Sequence, residues 1–231
     1  MLTQPEWQAL QLTVLVAVAA VIACLPWAIA IGWLLAKRDF PGKFLVETLC
    51  NLPLVLPPVV TGYLLLVVFG RRGWIGGWLE QMCGLRFVFD WKGAALASAV
   101  VGFPLLVRPI RQAFAAVDDR LVQAARTLGA NPLDAFWTIS LPLARPGIFS
   151  GVVLAMARSM GEFGATVMIA GNIPGETRTI PLFIYTQLDA PDGLADSYRL
   201  VIASLVISAA ALVAGEYLER YGRDKLRGGA G

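Results

Sequence analysis

Histidine is absent from the 231 residues. That removes the usual general base, the commonest metal ligand and every Ser–His or Cys–His nucleophile system. Charge is scarce too: Asp, Glu, Lys and Arg make up 15% of the chain, against about 25% in soluble domains. Cysteine occurs three times and never in a Cys-x-x-Cys spacing. Cys24 and Cys50 fall in apolar stretches and Cys83 in a loop, so all three read as packing residues or spectator thiols. No Gly-x-x-x-x-Gly-Lys-Ser/Thr loop exists to hold nucleotide phosphates, and the one Gly-Lys pair, Gly42-Lys43, is followed by Phe44. The net charge is only +3 and the cations are scattered between apolar blocks, which excludes a nucleic-acid surface. The expectation is a protein that is no enzyme and needs no cofactor or metal.

What is abundant is apolar surface. Apolar residues make up 57% of the chain, above the roughly 45–50% of soluble domains. A helix needs about 20 mainly apolar residues to cross the hydrocarbon layer. Five stretches qualify, at 10–36, 46–69, 93–114, 147–170 and 200–218, within a single membrane domain covering 1–231. The first is too long for a signal-peptide core and no cation precedes it, so it reads as a retained span. Twelve Lys and Arg residues fall on one side of these spans and six on the other. The richer side holds Lys37, Arg38, Lys43, the arginines between 108 and 145, and the tail cations Arg220, Arg223, Lys225 and Arg227. The positive-inside rule places that side in the cytoplasm, with the N-terminus outside and the C-terminus inside.

Two spans carry features beyond hydrophobicity. Pro53, Pro57 and Pro58 interrupt the second, and proline removes ladder hydrogen bonds. Such a break survives in a membrane only where protein or a water-filled cavity satisfies the freed carbonyls. In the fourth, Gly147, Gly151, Ala155 and Ser159 form a small-residue stripe for close helix packing. Arg158 and Glu162 lie four residues apart on the same span, where charges are costly and usually paired. Pro57, Pro58, Arg158 and Glu162 are the candidates for a pathway or gate.

The inner loop at 118–142 reads as a helical hairpin. Asp118 is a good N-cap for a helix ending at Leu128, with Gly129 as its C′ residue. Asn131 caps a second helix that has Pro132 at its first position and runs to Leu141, where Pro142 stops it. Three acids and two arginines across 118–142, tethered at both ends to the bilayer, argue against a DNA-reading helix–turn–helix.

This hairpin resembles that of the permease subunits of ABC importers that work with an extracytoplasmic binding protein. The family motif of Glu-Ala-Ala, a glycine four residues on, then Ile-x-Leu-Pro appears as Gln123-Ala124-Ala125, Gly129 and Ile139-Ser140-Leu141-Pro142. Gln123 replaces the acid, which removes any salt bridge from that position. The resemblance implies that Gln123, Ala124, Ala125, Gly129, Ile139, Leu141 and Pro142 couple the chain to a separate cytoplasmic ATPase dimer. It also implies an all-α bundle of five transmembrane helices in the inner membrane, an extracytoplasmic oxyanion-binding protein and a second copy of the chain. Two further stretches, 52–63 and 157–181 with its Gly-Asn-Ile-Pro-Gly-Glu-Thr-Arg run, are similar to the molybdate branch of the family. Sulfate or tungstate is the alternative cargo. An ATP-independent secondary transporter fits less well, because five spans do not divide into equal inverted halves. A membrane-embedded enzyme fits less well again, for want of histidines and metal clusters.

Overall fold

The computed structural model describes residues 3–188, 198–207, 209–210 and 213. Every element among them is helical. Three helices are long and apolar enough to cross a membrane, or four if one sharply bent pair counts as a single span.

The first helix, α1 (Gln4–Lys37), is about 51 Å long at 1.5 Å per residue, more than the hydrocarbon layer requires. Glu6 accepts a hydrogen bond from the Thr3 N–H to close its N-terminus. Next come α2 (Lys43–Val55) and α3 (Pro58–Phe69), which meet at 116°. The interruption has a local cause. A residue before proline is pushed out of the helical region, and Leu56 and Pro57 each precede one, taking ψ values of 139° and 135°. The second expected span is therefore two helices and not a continuous rod.

A short helix, α4 (Trp74–Cys83), follows α3 and leads to α5 (Trp91–Ala115), which Asp90 caps by accepting from the Lys92 N–H. Beyond α5 come α6 (Asp119–Thr127), α7 (Pro132–Ala135), a five-residue π turn at Phe136–Ser140, and α8 (Leu141–Met160). The segment Pro132–Met160 forms one 29-residue helical rod. Pro142 does not stop the second hairpin helix, contrary to the sequence expectation. In the π turn the Leu141 N–H donates to Phe136 O, one residue further back than in an α-helix. The wider turn relieves the clash between a proline ring and the preceding turn, and Pro142 falls in the first turn of α8, where its missing N–H costs little.

The fourth expected span also differs. It begins earlier, within that rod, ends at Met160, and resumes as α9 (Gly164–Ala170). Last come α10 (Ile180–Gln187) and α11 (Tyr198–Ile207). The fifth expected span is seen as far as Ile207 within α11. Most of its remainder, and the tail cations, lie outside the described residues.

The bundle closes around α5, which packs against α1 on one side and α8 on the other. Ala28, Leu106, Ile110, Phe114 and Ala144 form one apolar core, while Val16, Ala94, Ala97, Ala165 and Ile169 form a second toward the other end. The small-residue stripe works as expected. A β-carbon on Gly147 would collide with Ala113, and one on Gly151 would lie 2.8 Å from Leu106 O, so α8 approaches α5 to backbone contact. At the end away from the hairpin, buried Thr13 ties α1 to α10. Its Oγ1 accepts from the Ile180 N–H at 2.8 Å and donates to Ala9 O at 2.7 Å.

Candidate functional site

The hairpin is built almost entirely from local signals. Asp118 Oδ1 accepts from the Arg120 N–H at 2.9 Å to start α6. At the far end, Ala130 N–H donates to Ala125 O and Gly129 N–H to Arg126 O, the paired bonds of a Schellman motif. Gly129 takes φ = +97°, the left-handed conformation that motif demands at C′. Asn131 and Asp134 then form a reciprocal capping box, with the Asp134 N–H donating to Asn131 Oδ1 at 2.9 Å.

The seven motif residues divide into two groups. Gln123, Ala124 and Gly129 are exposed and Ala125 is half-buried, whereas Ile139, Leu141 and Pro142 are half-buried near the bundle. Leu141 packs onto the core formed by Ile110, Phe114 and Ala144. No residue of α6 is buried. The hairpin also leaves Leu128, Leu133 and Trp137 largely uncovered, at 89%, 70% and 63% exposure. The hairpin thus presents a polar helix with a largely uncovered apolar tip.

What fastens this surface to the bundle was not legible from the motif. Phe136 sits in an aromatic cluster, edge-on to Trp33 at 5.8 Å and stacked with fully buried Phe114 at 6.0 Å. Lys37, at the end of α1, donates to Val117 O at 2.7 Å and pairs with Asp119 at 2.6 Å. Arg111 pairs with Glu47 at 2.8 Å and Arg108 donates to Asn51 Oδ1 at 2.8 Å, joining α5 to α2 at the same end. Two elements, α1 and α5, thus grip the base of the hairpin, and α2 braces α5 beside it. For the polar contacts the only sequence signal was the clustering of cations, Lys37, Arg108 and Arg111 among them, on one side of the spans.

The second group of candidates comes together at the two helix breaks. Arg158 Nη2 lies 2.8 Å from Glu162 Oε2, with the carboxylate almost fully buried and the guanidinium about one-third exposed (32%). The other carboxylate oxygen, Oε1, accepts from the Ala165 N–H at 2.9 Å, so Glu162 satisfies a free amide at the start of α9. Oε2 holds the ion-pair contact without a directed hydrogen bond. Around this pair the backbones are close. A β-carbon on Gly164 would lie 2.9 Å from Pro58 Cβ, and one on Gly62 would lie 2.7 Å from Ala165 Cα and O. The break at Pro57-Pro58 and the break after Gly161 therefore face one another through α3 and α9. Beside them a groove of about 450 Å³ is lined by Gly161, Phe163, Ile180, Ile184, Tyr185 and Ser204 among others.

The Gly171–Thr179 loop at the end away from the hairpin is internally bonded. Arg178 Nε donates to Asn172 Oδ1 at 2.8 Å, and Asn172 Nδ2 donates to Thr186 Oγ1 at 2.7 Å. Ile173 O accepts from three successive N–H groups, those of Glu176, Thr177 and Arg178. Arg178 is thereby committed to folding the loop. No cluster of metal-ligating side chains occurs among the described residues.

The family model for binding-protein-dependent transport system inner membrane components matches residues 28–221. The molybdenum transport system permease protein ModB of Escherichia coli (strain K12) is 53% identical over 224 residues, covering 97% of this chain and 98% of its own. ModB of Haemophilus influenzae is 49% identical, covering 96% of each chain. A crystal structure of a bacterial ABC transporter involved in the import of the acidic polysaccharide alginate aligns with a TM-score of 0.74 at 15% identity. It covers 95% of this chain and 80% of that chain, a likeness of fold alone.

Proposed function

The chain belongs to the family of binding-protein-dependent transport system inner membrane components, and from that membership we propose that it is the permease subunit of an ABC importer carrying molybdate into the cytoplasm. Its near full-length identity to molybdenum permeases supports the cargo. ATP is hydrolysed on a separate subunit and a binding protein delivers the oxyanion. Two copies of this chain, each with five spans and the N-terminus outside, form the pathway across the inner membrane, as one domain over residues 1–231.

The observation that carries this reading is the exposed, locally capped hairpin keyed onto the ends of α1 and α5. A partner ATPase that pushes on Gln123, Ala124, Ala125 and Gly129 moves a surface with no internal slack. Its second half is the start of the Pro132–Met160 rod, about 44 Å long. That rod runs past Ile139, Leu141 and Pro142 to Arg158, and stops at the break beside Glu162, Pro57 and Pro58. Displacement of the hairpin is delivered where the helices are already interrupted, and interrupted helices are the elements that bend at least cost.

The test is reconstitution in proteoliposomes with the ATPase and the binding protein. Purified alone, this chain should hydrolyse no ATP; the assembly should, and should take up molybdate in preference to sulfate. Uptake without the ATPase, or nucleotide turnover by this chain alone, overturns the reading. At the break, Arg158→Met and Glu162→Gln should each impair uptake. Restoration in the double variant would make the pair structural and end its candidacy as a gate.

A further inference from the structure

The ten-residue helix α4 has no place in the transport mechanism. At about 15 Å it is too short to span a bilayer. It follows α3 after a turn of four residues, so it sits at the membrane end of an apolar helix, away from the hairpin. One side is pressed onto the protein: a β-carbon on buried Gly76 would collide with Phe69 O. That side also carries Glu80, which is 2.9 Å from Arg86 Nε and 4.0 Å from Arg71 Nε. The opposite side is apolar and uncovered. Trp74, Ile75, Trp78 and Met82 lie within about 100° of arc at 100° per residue, and all four are exposed, Trp74 at 96%.

We infer that α4 lies in the plane of the bilayer surface, with Trp74, Trp78 and Met82 in the headgroup and upper acyl layer. Three observations single out lipid as the occupant. The exposed face is built from indole rings, whose polar N–H and apolar body suit the boundary between headgroup and hydrocarbon. The helix is amphipathic and joined by a turn of only four residues to apolar α3, which fixes its height at that boundary. Cations flank it at both ends: Arg71 and Arg72 before the helix and Arg86 after it are all exposed, and Arg72 has no acidic partner among the described residues. Those charges match anionic lipid phosphates. By this inference α4 anchors the sharply bent α2–α3 pair to the bilayer surface.

The inference rests on the reading that the chain spans a membrane, so the experiment reports both. Cys83 is exposed on α4 itself, five residues and about 140° round the helix from Trp78. Single-cysteine full-length chains bearing a fluorophore at native Cys83, at Trp78→Cys, at Met82→Cys or at Ile22→Cys, with the other cysteines replaced by alanine, are placed in phosphatidylglycerol-containing nanodiscs. The lipids carry a nitroxide either near the headgroup or at the chain end. Labels at 78 and 82 should lose emission to the headgroup nitroxide, while the label on Cys83 keeps it. Ile22, exposed near the middle of α1, should lose emission to the chain-end nitroxide. If Ile22 is quenched but 78 and 82 are not, α4 is not an interfacial helix. Equal quenching at 78 and 83 overturns it as well. A response at 78 only on adding the binding protein would make the face a protein-docking surface instead. Quenching at neither Ile22 nor 78 overturns the spanning reading and the anchor together.

Discussion

The hairpin and the interior break interrupt helices by opposite means. In the hairpin every bond that ends one helix and begins the next comes from within a few residues: Asp118 caps, Gly129 reverses, and Asn131 caps again. No side chain of α6 is buried, and a β-carbon on Gly129 would meet nothing within 4 Å. At the interior break, by contrast, the chain is held by distant contacts. Gly62 and Pro58 on α3 lie against Ala165 and Gly164 on α9, more than a hundred residues later in the sequence. The hairpin owns its shape and leaves most of its surface uncovered; the interior break is held by the packing around it. Variants should therefore affect folding at the second place and coupling at the first.

The largest effect is expected where the contrast is sharpest. Gly62→Val puts side-chain atoms where Ala165 and Met168 already sit at 2.7 Å, and backbone atoms cannot step aside as a flexible side-chain tip would. Overpacking of this kind costs about 3 kcal/mol. Thermal unfolding in detergent should show a clearly lowered midpoint, with the same change at Gly42 costing only about 1 kcal/mol, since no atom lies within 4 Å there and only its positive φ is penalised. An unchanged midpoint for Gly62→Val would mean that the α3–α9 contact does not hold the break.

Next in size is Glu162. Alanine there removes both the acceptor for the Ala165 N–H and the partner of Arg158. Breaking a fully buried pair costs about 3–5 kcal/mol, but Arg158 is partly exposed and recovers some solvation, so about 2 kcal/mol is expected. Glu162→Gln keeps an acceptor and should lose about half as much. Amide exchange at Ala165 discriminates the two roles: it should accelerate in the alanine variant and stay slow in the glutamine variant. Equal acceleration in both would show that charge, not capping, holds the start of α9.

The same contrast decides how much could be read from the sequence. Asp118, Gly129 and Asn131 were legible because capping is a local code, and each occupies the expected position. Pro57 and Pro58 announced an interruption, although its 116° angle depends on α3 meeting α9 and was not legible. The break after Gly161 was overlooked because hydropathy averaged over the span outweighs Arg158 and Glu162 and does not register a glycine pair. Pro142 was misread as a stop because the π turn that accommodates it depends on Phe136 packing against Phe114 and Trp33. Helix α4 escaped because a search for about 20 apolar residues passes over ten amphipathic ones. The Arg158–Glu162 contact was legible from its spacing, but its bond to the Ala165 N–H was not.

A smaller effect on folding, joined to a large one on coupling, is expected at Gly129. With open space around the position, Gly129→Val is penalised only for φ = +97°, by about 1 kcal/mol. Membrane insertion and thermal midpoint should change little, whereas capture of the ATPase and molybdate uptake should fall sharply as the reversal between α6 and α7 shifts. Gly129→Asn tolerates the left-handed conformation and should retain most of the association. If the valine variant binds the ATPase and transports normally, the hairpin is not the coupling surface.

The smallest effect is expected at Gln123, where the family motif has an acid. Gln123 is exposed, and glutamine and glutamate have nearly equal helix propensity. A carboxylate there would face Asp119 one turn earlier, a repulsion of about 0.2–0.5 kcal/mol. Arg120 and Arg126 lie three residues to either side and offset it, and Asp119 is already engaged by Lys37. Gln123→Glu should therefore leave the unfolding midpoint unchanged within error. Because the side chain contributes nothing to the hairpin's own shape, any change belongs to the partner interface. Titration of the ATPase against both forms at low and high salt separates the possibilities. Tighter binding by the glutamate form, lost as salt rises, would locate a cation on the ATPase opposite this position. Equal binding at both salt concentrations would mean that the interface reads shape here, through Ala124, Ala125 and Gly129, and not charge.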